Sequence, residues 1–348
     1  MKYKLAILPG DGIGTEVTDA ALKVLNAITD KVETKSYLFG GASYDVNNMP
    51  LTEEVLQECA QSDAVLLGAV GGPKWDAVAS ELRPEKGLLK IRKELGLFCN
   101  LRPALLYEEL ISSCPLKQEL VEGGLDIMIV RELTGGAYFG PKELTNDYGS
   151  DLIIYSEKEV ERIAIKAFEI AKKRQNKLTS VDKANVLDSS KLWRRVVDRI
   201  ALDYPEVEVE HMYVDNAAMQ LVTKPKQFDL ILTENMFGDI LSDEASVLTG
   251  SIGMLPSASL REDSFGLYEP SHGSAPQIAG QNIVNPIACI LSLALALRYS
   301  FKMIEEADKI EKAIKKVLQA GYRTVDILTH DTKEVSTTEI TDLIIKAL

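Results

Sequence analysis

Histidine, cysteine and tryptophan are scarce in this chain, at three, four and two of 348 residues. His211, His272 and His330 fall at no HxxxH spacing, which excludes a histidine-based zinc site. Cys59, Cys99, Cys114 and Cys289 are scattered without a CxxC pair, so neither a zinc ribbon nor a disulfide framework is indicated. A reduced, cytoplasmic setting fits that usage. Long hydrophobic runs are also missing. The most apolar stretch, "IACILSLALAL" (287–297), is too short to span a bilayer and reads as a buried core helix. The opening "MKYKLAILPGDGIG" enters a strand pattern directly, with no signal-peptide core, and a cytoplasmic protein is expected. Basic charge is in deficit: 39 Lys and Arg against 52 Asp and Glu give −13. That balance excludes nucleic acid and acidic membrane surfaces as main partners, but not a small anion met by a local arginine cluster. No internal repeat, low-complexity tract or polar linker marks a domain boundary, so the chain is free to cross between domains more than once.

What is present is alternation. "YKLAILPG", "DAVLLGAVG", "LDIMIVREL", "LTSVDKANV" and "FDLILTEN" read as strands. Between them, "TEVTDAALKVLNAI", "TEEVLQECAQS", "SEKEVERIAIKAFEIAKKR" and "SKLWRRVVDRIALDYP" read as helices. Ser156 is the expected N-cap of the third helix, and Pro205 is expected to stop the fourth. The class is α/β, and the length suggests two domains. Residues 135–156, rich in Gly, Tyr and polar side chains, suggest a projecting β-arm. The glycine loop "PGDGIGTE" (9–16) is a decoy for a dinucleotide fingerprint. Its glycines fall at Gly10, Gly12 and Gly14, Thr15 stands where the last glycine of GxGxxG belongs, and Pro9 is expected to end the strand. It reads as a tight strand–helix turn.

The chemistry concentrates in a few constellations. In "ENMFGDILSDEASVL", Asp239 and Asp243 lie four apart, on one face of a helix. Two carboxylates so placed need solvent, an arginine or a divalent cation between them. Hard oxygen donors suit Mg2+ or Mn2+, and Asp215 in "YVDNAAMQL" offers a third ligand. The competing reading makes Asp239 a helix cap and leaves Asp243 solvated. Arg92, Arg102 and Arg131 would together suit a di- or tricarboxylate. Arg92, beside Lys90 and Lys93, is also readable as a solvated helix residue. Lys183 in "VDKANV" is a candidate base, and Tyr138 in "TGGAYFG" is placed to reach a ligand.

Taken in series, these motifs resemble the isocitrate/isopropylmalate dehydrogenase family of β-decarboxylating dehydrogenases. "NMFGDILSDEASVLTGSIGM" looks like the family signature. "LPGDGIG", "GGPKW", "GLLKIRKELGLFCNLRP", "VRELTGGAYFG", "DKANVL", "YVDNAAMQL" and "EPSHGSAPQIAGQNIVNPIA" follow in the family's order, over essentially the whole chain. "ELTGGAYFG" and the "GLL…LR" segment are most similar to the isopropylmalate-oxidising branch.

The resemblance implies a two-domain, non-Rossmann fold with a mixed sheet flanked by helices. Residues 1–99 and 251–348 would form a cofactor-binding domain, and 100–250 a substrate and dimerisation domain with its arm near 135–156. It implies oxidative decarboxylation of 3-isopropylmalate with NAD and Mg2+ or Mn2+, in leucine synthesis. Arg92, Arg102 and Arg131 would hold the substrate carboxylates, Asp215, Asp239 and Asp243 the metal. Lys183 would take the hydroxyl proton and Tyr138 would protonate the enol carbon. Lys183 and Asp215 would come from the second subunit of a homodimer. Glu85, Leu88 and Leu89 would set substrate choice, with leucines as apolar wall. Gly72, Glu85, His272, Gly273, Ser274, Ala275, Gln277, Ile278 and Asn285 would line the cofactor. Gln277 stands where NAD-linked members usually carry an aspartate, so NAD is expected with reduced discrimination against NADP. D-malate/tartrate, homoisocitrate and isocitrate activities, a catalytically silent subunit, and a plain anion-binding module are the alternatives.

Overall fold

The computed structural model describes residues 2–348. The chain divides into two compact units: residues 1–97 with 250–348, and residues 98–249.

In the discontinuous unit, five strands lie in the order Val32–Ser36, Tyr3–Gly10, Ala64–Ala69, Gly266–Pro270, Pro256–Leu260. All neighbours are parallel except the last pair. Leu5 to Leu8 and Ala64 to Ala69 are buried without alternation, because helices cover both sheet faces. The helices Gly14–Ile28 and Ile287–Tyr299 pack together on this sheet, and every residue from Ile287 to Leu297 is buried. The apolar stretch 287–297 is thus a core helix. Among the described residues no helix is long and apolar enough to cross a membrane. The first strand runs through Pro9 to Gly10 instead of ending at the proline. Pro9 lacks only a donor, and Gly10, at φ 72°, makes the turn that follows.

In the continuous unit, the order is Cys99–Leu106, Leu125–Glu132, Leu230–Thr233, Lys177–Asp182, Glu208–Tyr213. Only the first pair is antiparallel. Four parallel strands therefore end at one edge, and three of them deliver Arg131, Lys183 and Glu234 there. That edge is where open α/β sheets place their ligands. The amphipathic helix Glu157–Ala171 buries Val160, Ile163, Ala164 and Phe168 and opens on a complete capping box between Ser156 and Glu159. The helix Asp188–Ala201 stops four residues before Pro205, through a turn at Leu202 to Tyr204. Lys142–Leu144 and Gly149–Asp151 form an exposed antiparallel hairpin within the expected arm.

Ser156→Ala removes the side-chain acceptor for the Glu159 amide. It is expected to cost about 1 kcal/mol of unfolding free energy in urea titration, with activity unchanged.

Candidate active site

The helix Asn235–Leu248 begins directly after a strand end and is capped by Glu234, whose Oε1 accepts the Phe237 N–H at 2.6 Å. Glu234 fills the capping role, so Asp239 lies one turn inside the helix and does not cap it. Asp239 and Asp243 share a helix face, as their spacing requires, and arginines meet both. Arg131 Nη1 donates to Asp239 Oδ1 at 2.5 Å. Arg102 Nη1 donates to Asp243 Oδ1 at 3.1 Å, and its Nη2 lies 3.7 Å from Asp239 Oδ1. Tyr138 O–H donates to the other Asp239 oxygen at 2.9 Å. Two cations and one phenol thus surround a carboxylate pair that would otherwise repel.

These groups sit in graded exposure. The Arg131 side chain is 5% exposed, Asp239 33% and Asp243 74%. Arg131 is buried against the helix because residue 238 is glycine: a Cβ there would stand 2.6 Å from Arg131 Cγ. Arg102 is steadied by donating from Nε to Asn100 Oδ1 at 3.0 Å and from Nη1 to Ser242 Oγ at 2.8 Å. Tyr138 stands on the short turn Gly136–Tyr138. Partial burial, then the Asp239 carboxylate, raise its pKa above the ordinary tyrosine value, so it keeps its proton at neutral pH.

Glu132, fully buried, fixes the preceding loop. Its carboxylate accepts from the Thr134 and Gly135 amides at 2.9 and 2.7 Å, and from Arg162 at 3.1 Å. Burial raises its pKa, opposed by those donors.

Lys183 and Asp215 also meet, as an ion pair with each other. Lys183 follows its strand directly, and Asp215 lies in the first turn of the helix Val214–Thr223. The lysine ammonium holds the Asp215 carboxyl below the usual aspartate range. No hydrogen bond or ion pair joins this pair to Asp239 or Asp243 among the described residues, and no group of three or more metal-ligating side chains gathers among them. The hard oxygens of Asp239 and Asp243, one turn apart, still suit Mg2+ or Mn2+ as two of its ligands.

In the discontinuous unit, Arg92 is not solvated. It pairs with Glu269 at 2.5 Å, and both side chains are largely buried. Leu88 packs against a core cluster containing Phe39 and Ile91, while Leu89 is exposed. Glu85 leans over Gly71, where a Cβ would lie 2.2 Å from its Oε1. Asp11, buried in the glycine turn, accepts from the amides of Gly41 (2.9 Å), Ala42 (2.8 Å) and Gly71 (2.7 Å). Ser274 Oγ donates to Gly71 O at 2.6 Å, and the Ile13 amide to Ser274 O at 2.8 Å. The loops bearing Gly72 and residues 272–275 are therefore tied to the turn read as a decoy.

Beside them, His272 Nε2 is buried with no partner among the described residues. Nothing in the structure would meet a Cβ at Gly273, and Ala275 has φ 36°. An unpartnered ring nitrogen beside an open glycine backbone fits a polar cofactor. Gln277 is exposed and Ile278 half-buried. Asn285 is occupied structurally, donating to Asp326 at 3.0 Å and accepting from the Ile287 amide at 3.0 Å. Glu234, Asn235, Asp11 and Glu269 were not marked by sequence reasoning. Glu234 and Asn235 left a local signal, a polar pair at the start of an apolar-periodic run.

The sequence profile described as isocitrate/isopropylmalate dehydrogenase matches residues 4–344. The chain belongs to the isocitrate/isopropylmalate dehydrogenase family. A 3-isopropylmalate dehydrogenase of Pseudomonas fluorescens is 57% identical, over 100% of this chain and 99% of that protein. One from Clostridium acetobutylicum is 55% identical, with the same coverage of each. Among solved structures, an isocitrate dehydrogenase from Methylococcus capsulatus superimposes with a TM-score of 0.87 at 30% identity, covering 99% of both chains. A β-decarboxylating dehydrogenase from Thermococcus kodakarensis gives 0.83 at 38%, over 99% of this chain and 96% of the other. The mixed sheets flanked by helices are thus those of the family, and the glycine turn is not a Rossmann site.

Gly238→Ala tests the close approach of helix and arginine. Helix propensity alone favours alanine by about 1 kcal/mol, but the overlap with Arg131 costs about 1–3 kcal/mol. A net loss of stability in chemical denaturation is the expected result; a stabilised variant would contradict the packing described.

Proposed function

We propose that this chain acts as an NAD- and divalent-metal-dependent 3-isopropylmalate dehydrogenase, oxidising and decarboxylating (2R,3S)-3-isopropylmalate to 4-methyl-2-oxopentanoate and CO2 in leucine biosynthesis. The observation that carries the reading is the cluster in which Arg102, Arg131 and Tyr138 converge on Asp239 and Asp243. Such a cluster is built to exchange partners. A dicarboxylate offers the arginines new anions, and a cation offers the aspartates a new counter-charge. No buried charge need be left alone in either arrangement.

In this reading Arg92, Arg102 and Arg131 hold the substrate carboxylates. Asp239 and Asp243 hold Mg2+ or Mn2+, with Asp215 of a second copy as third ligand. The metal, when bound, lowers the pKa of the C2 hydroxyl and stabilises the negative charge of the enolate. Lys183 of that second copy takes the hydroxyl proton; NAD, when bound, would supply the acceptor for the C2 hydride. The β-carboxylate leaves as CO2 with cleavage of its bond to C3. Tyr138, which keeps its proton at neutral pH, delivers it to C3. Apolar side chains exposed on the helices Val214–Thr223 and Asn235–Leu248 (Met219, Val222, Ile240 and Val247) support a homodimer.

Residues 1–99 with 251–348 serve as the cofactor domain, and 100–250 as the substrate and dimerisation domain. Gly72, Glu85, His272, Gly273, Ser274, Ala275, Gln277, Ile278 and Asn285 line the NAD site, in a cytoplasmic enzyme. Gln277 can hydrogen-bond a ribose but carries no charge to repel a 2′-phosphate, so discrimination against NADP is modest. Leu88 and Leu89 provide the wall for the isopropyl group.

A steady-state assay with Mg2+ decides this. It follows reduced nicotinamide for 3-isopropylmalate, D-malate, homoisocitrate and isocitrate, each with NAD+ and NADP+. The highest kcat/KM is expected for 3-isopropylmalate with NAD+. Preference for another acid would overturn the role given to Leu88 and Leu89, and higher kcat/KM with NADP+ the role given to Gln277. Tyr138→Phe is expected to lower kcat by about a hundredfold or more, the usual scale of one general acid.

A further inference from the structure

Asn235 opens the charged helix, is 1% exposed, and uses its two amide atoms in opposite directions. Its Oδ1 accepts from Arg131 Nε at 3.1 Å and Nη2 at 2.8 Å, and its backbone carbonyl accepts Nε at 2.9 Å. Its Nδ2 donates to Gly135 O at 3.0 Å, at the root of the turn that carries Tyr138. The two partners fix which way the amide points, since guanidinium can only donate and carbonyl can only accept. The Asn235 N–H donates to Tyr155 Oη at 3.0 Å, and that hydroxyl donates to Glu234 at 3.0 Å. The amide is therefore held from behind. Glu132 holds the Gly135 N–H, so the turn is gripped at both its donor and its acceptor.

This divides the arginine into two functional edges. The Nε–Nη2 edge is buried on Asn235. Nη1 points to Asp239, the half-buried group with which a ligand can exchange. We propose that Asn235 is a positioning residue for the reaction: through Oδ1 it aims Arg131 at the substrate, and through Nδ2 it seats the proton donor Tyr138. One side chain thereby sets the distance between substrate grip and acid. The proposal rests on the functional reading given above.

Asn235→Asp separates the two tasks. The carboxylate keeps acceptors for Arg131 but sets an oxygen against Gly135 O, which releases the Tyr138 turn. Asn235→Ala removes both contacts. On whichever acid and nicotinamide the wild-type enzyme turns over best, Asn235→Asp is expected to keep KM within about threefold and to lose roughly ten- to a hundredfold in kcat, the scale of a small misplacement. Asn235→Ala is expected to raise KM by roughly tenfold as well. In a Tyr138→Phe background the kcat effect of Asn235→Asp should largely vanish, because the group it seats is gone. Amide exchange followed by mass spectrometry should be faster over residues 134–140 in both variants, with the helices Glu157–Ala171 and Asp188–Ala201 protected as in the wild type.

Unchanged exchange over 134–140 overturns the proposal, whatever the activity. So does a kcat loss that is fully additive with Tyr138→Phe, or an Asn235→Asp variant with wild-type kcat. Failure of the functional reading shows separately, as a wild-type enzyme that prefers another acid or turns over none. In the latter case the exchange experiment alone decides the role of Asn235.

Discussion

Two negative charges one helical turn apart, beside a buried strand end, are the constraint around which the continuous unit is organised. Asp239 and Asp243 repel each other across that turn, and positive charge at short range offsets the repulsion. Arg102 and Arg131 supply it from two antiparallel neighbours in the sheet, at positions the strand register sets: Arg131 lies opposite Asn100 and Arg102 opposite Ile129. Once arginines are committed to that edge, the helix must come close, and Gly238 is the consequence. Once the helix comes close, its first turn is buried, and Glu234 and Asn235 must satisfy its amides and the guanidinium without water.

The buried carboxylates Glu132 and Glu234 belong to the same logic. Each is raised in pKa by burial and lowered by the donors placed on it. Their acceptors fix loop amides and a helix start at the cost of desolvation, which hydrogen bonding offsets. Rigid support thus lies beneath a surface whose own charges, on Asp239 and Asp243, stay partly exposed and able to change partners.

Much of this was legible in the sequence because it follows local rules. Strands buried on both faces read as unbroken apolar runs, and the Ser156–Glu159 capping box and the i,i+4 aspartate pair need only spacing to be seen. What spacing does not carry is who meets whom across the sheet. Arg92 looked like one more cation beside Lys90 and Lys93, because its partner Glu269 lies 177 residues away. Asp11 was hidden inside a glycine turn whose spacing had been set aside, though it fastens three separate segments. Glu234 caps with the longer acidic side chain, which lies outside the usual cap residues, and Asp239 stood as the competing candidate. Pro9 and Pro205 were read as punctuation, yet one strand ran past its proline and one helix ended before the other.

The discontinuous unit carries a consequence for synthesis. Residues 98–249 hold their five strands in one stretch and can pair them as soon as they are made. The strand Ala64–Ala69 instead waits for Gly266–Pro270, and its sheet waits for the helix Ile287–Tyr299 to cover it. At ordinary translation speeds the intervening 98–249 takes roughly 8–30 s to emerge. For that interval "LAIL" and "AVLLGA" lack the cover of the helix Ile287–Tyr299, although Phe39, Val55, Ile91 and Leu95 can already pack on Ala6, Leu8, Val65 and Leu67. A chain that inserts one domain within another leaves its first-born strands half-covered while the insert is made, and the open part falls to whatever holds nascent hydrophobic segments at the ribosome.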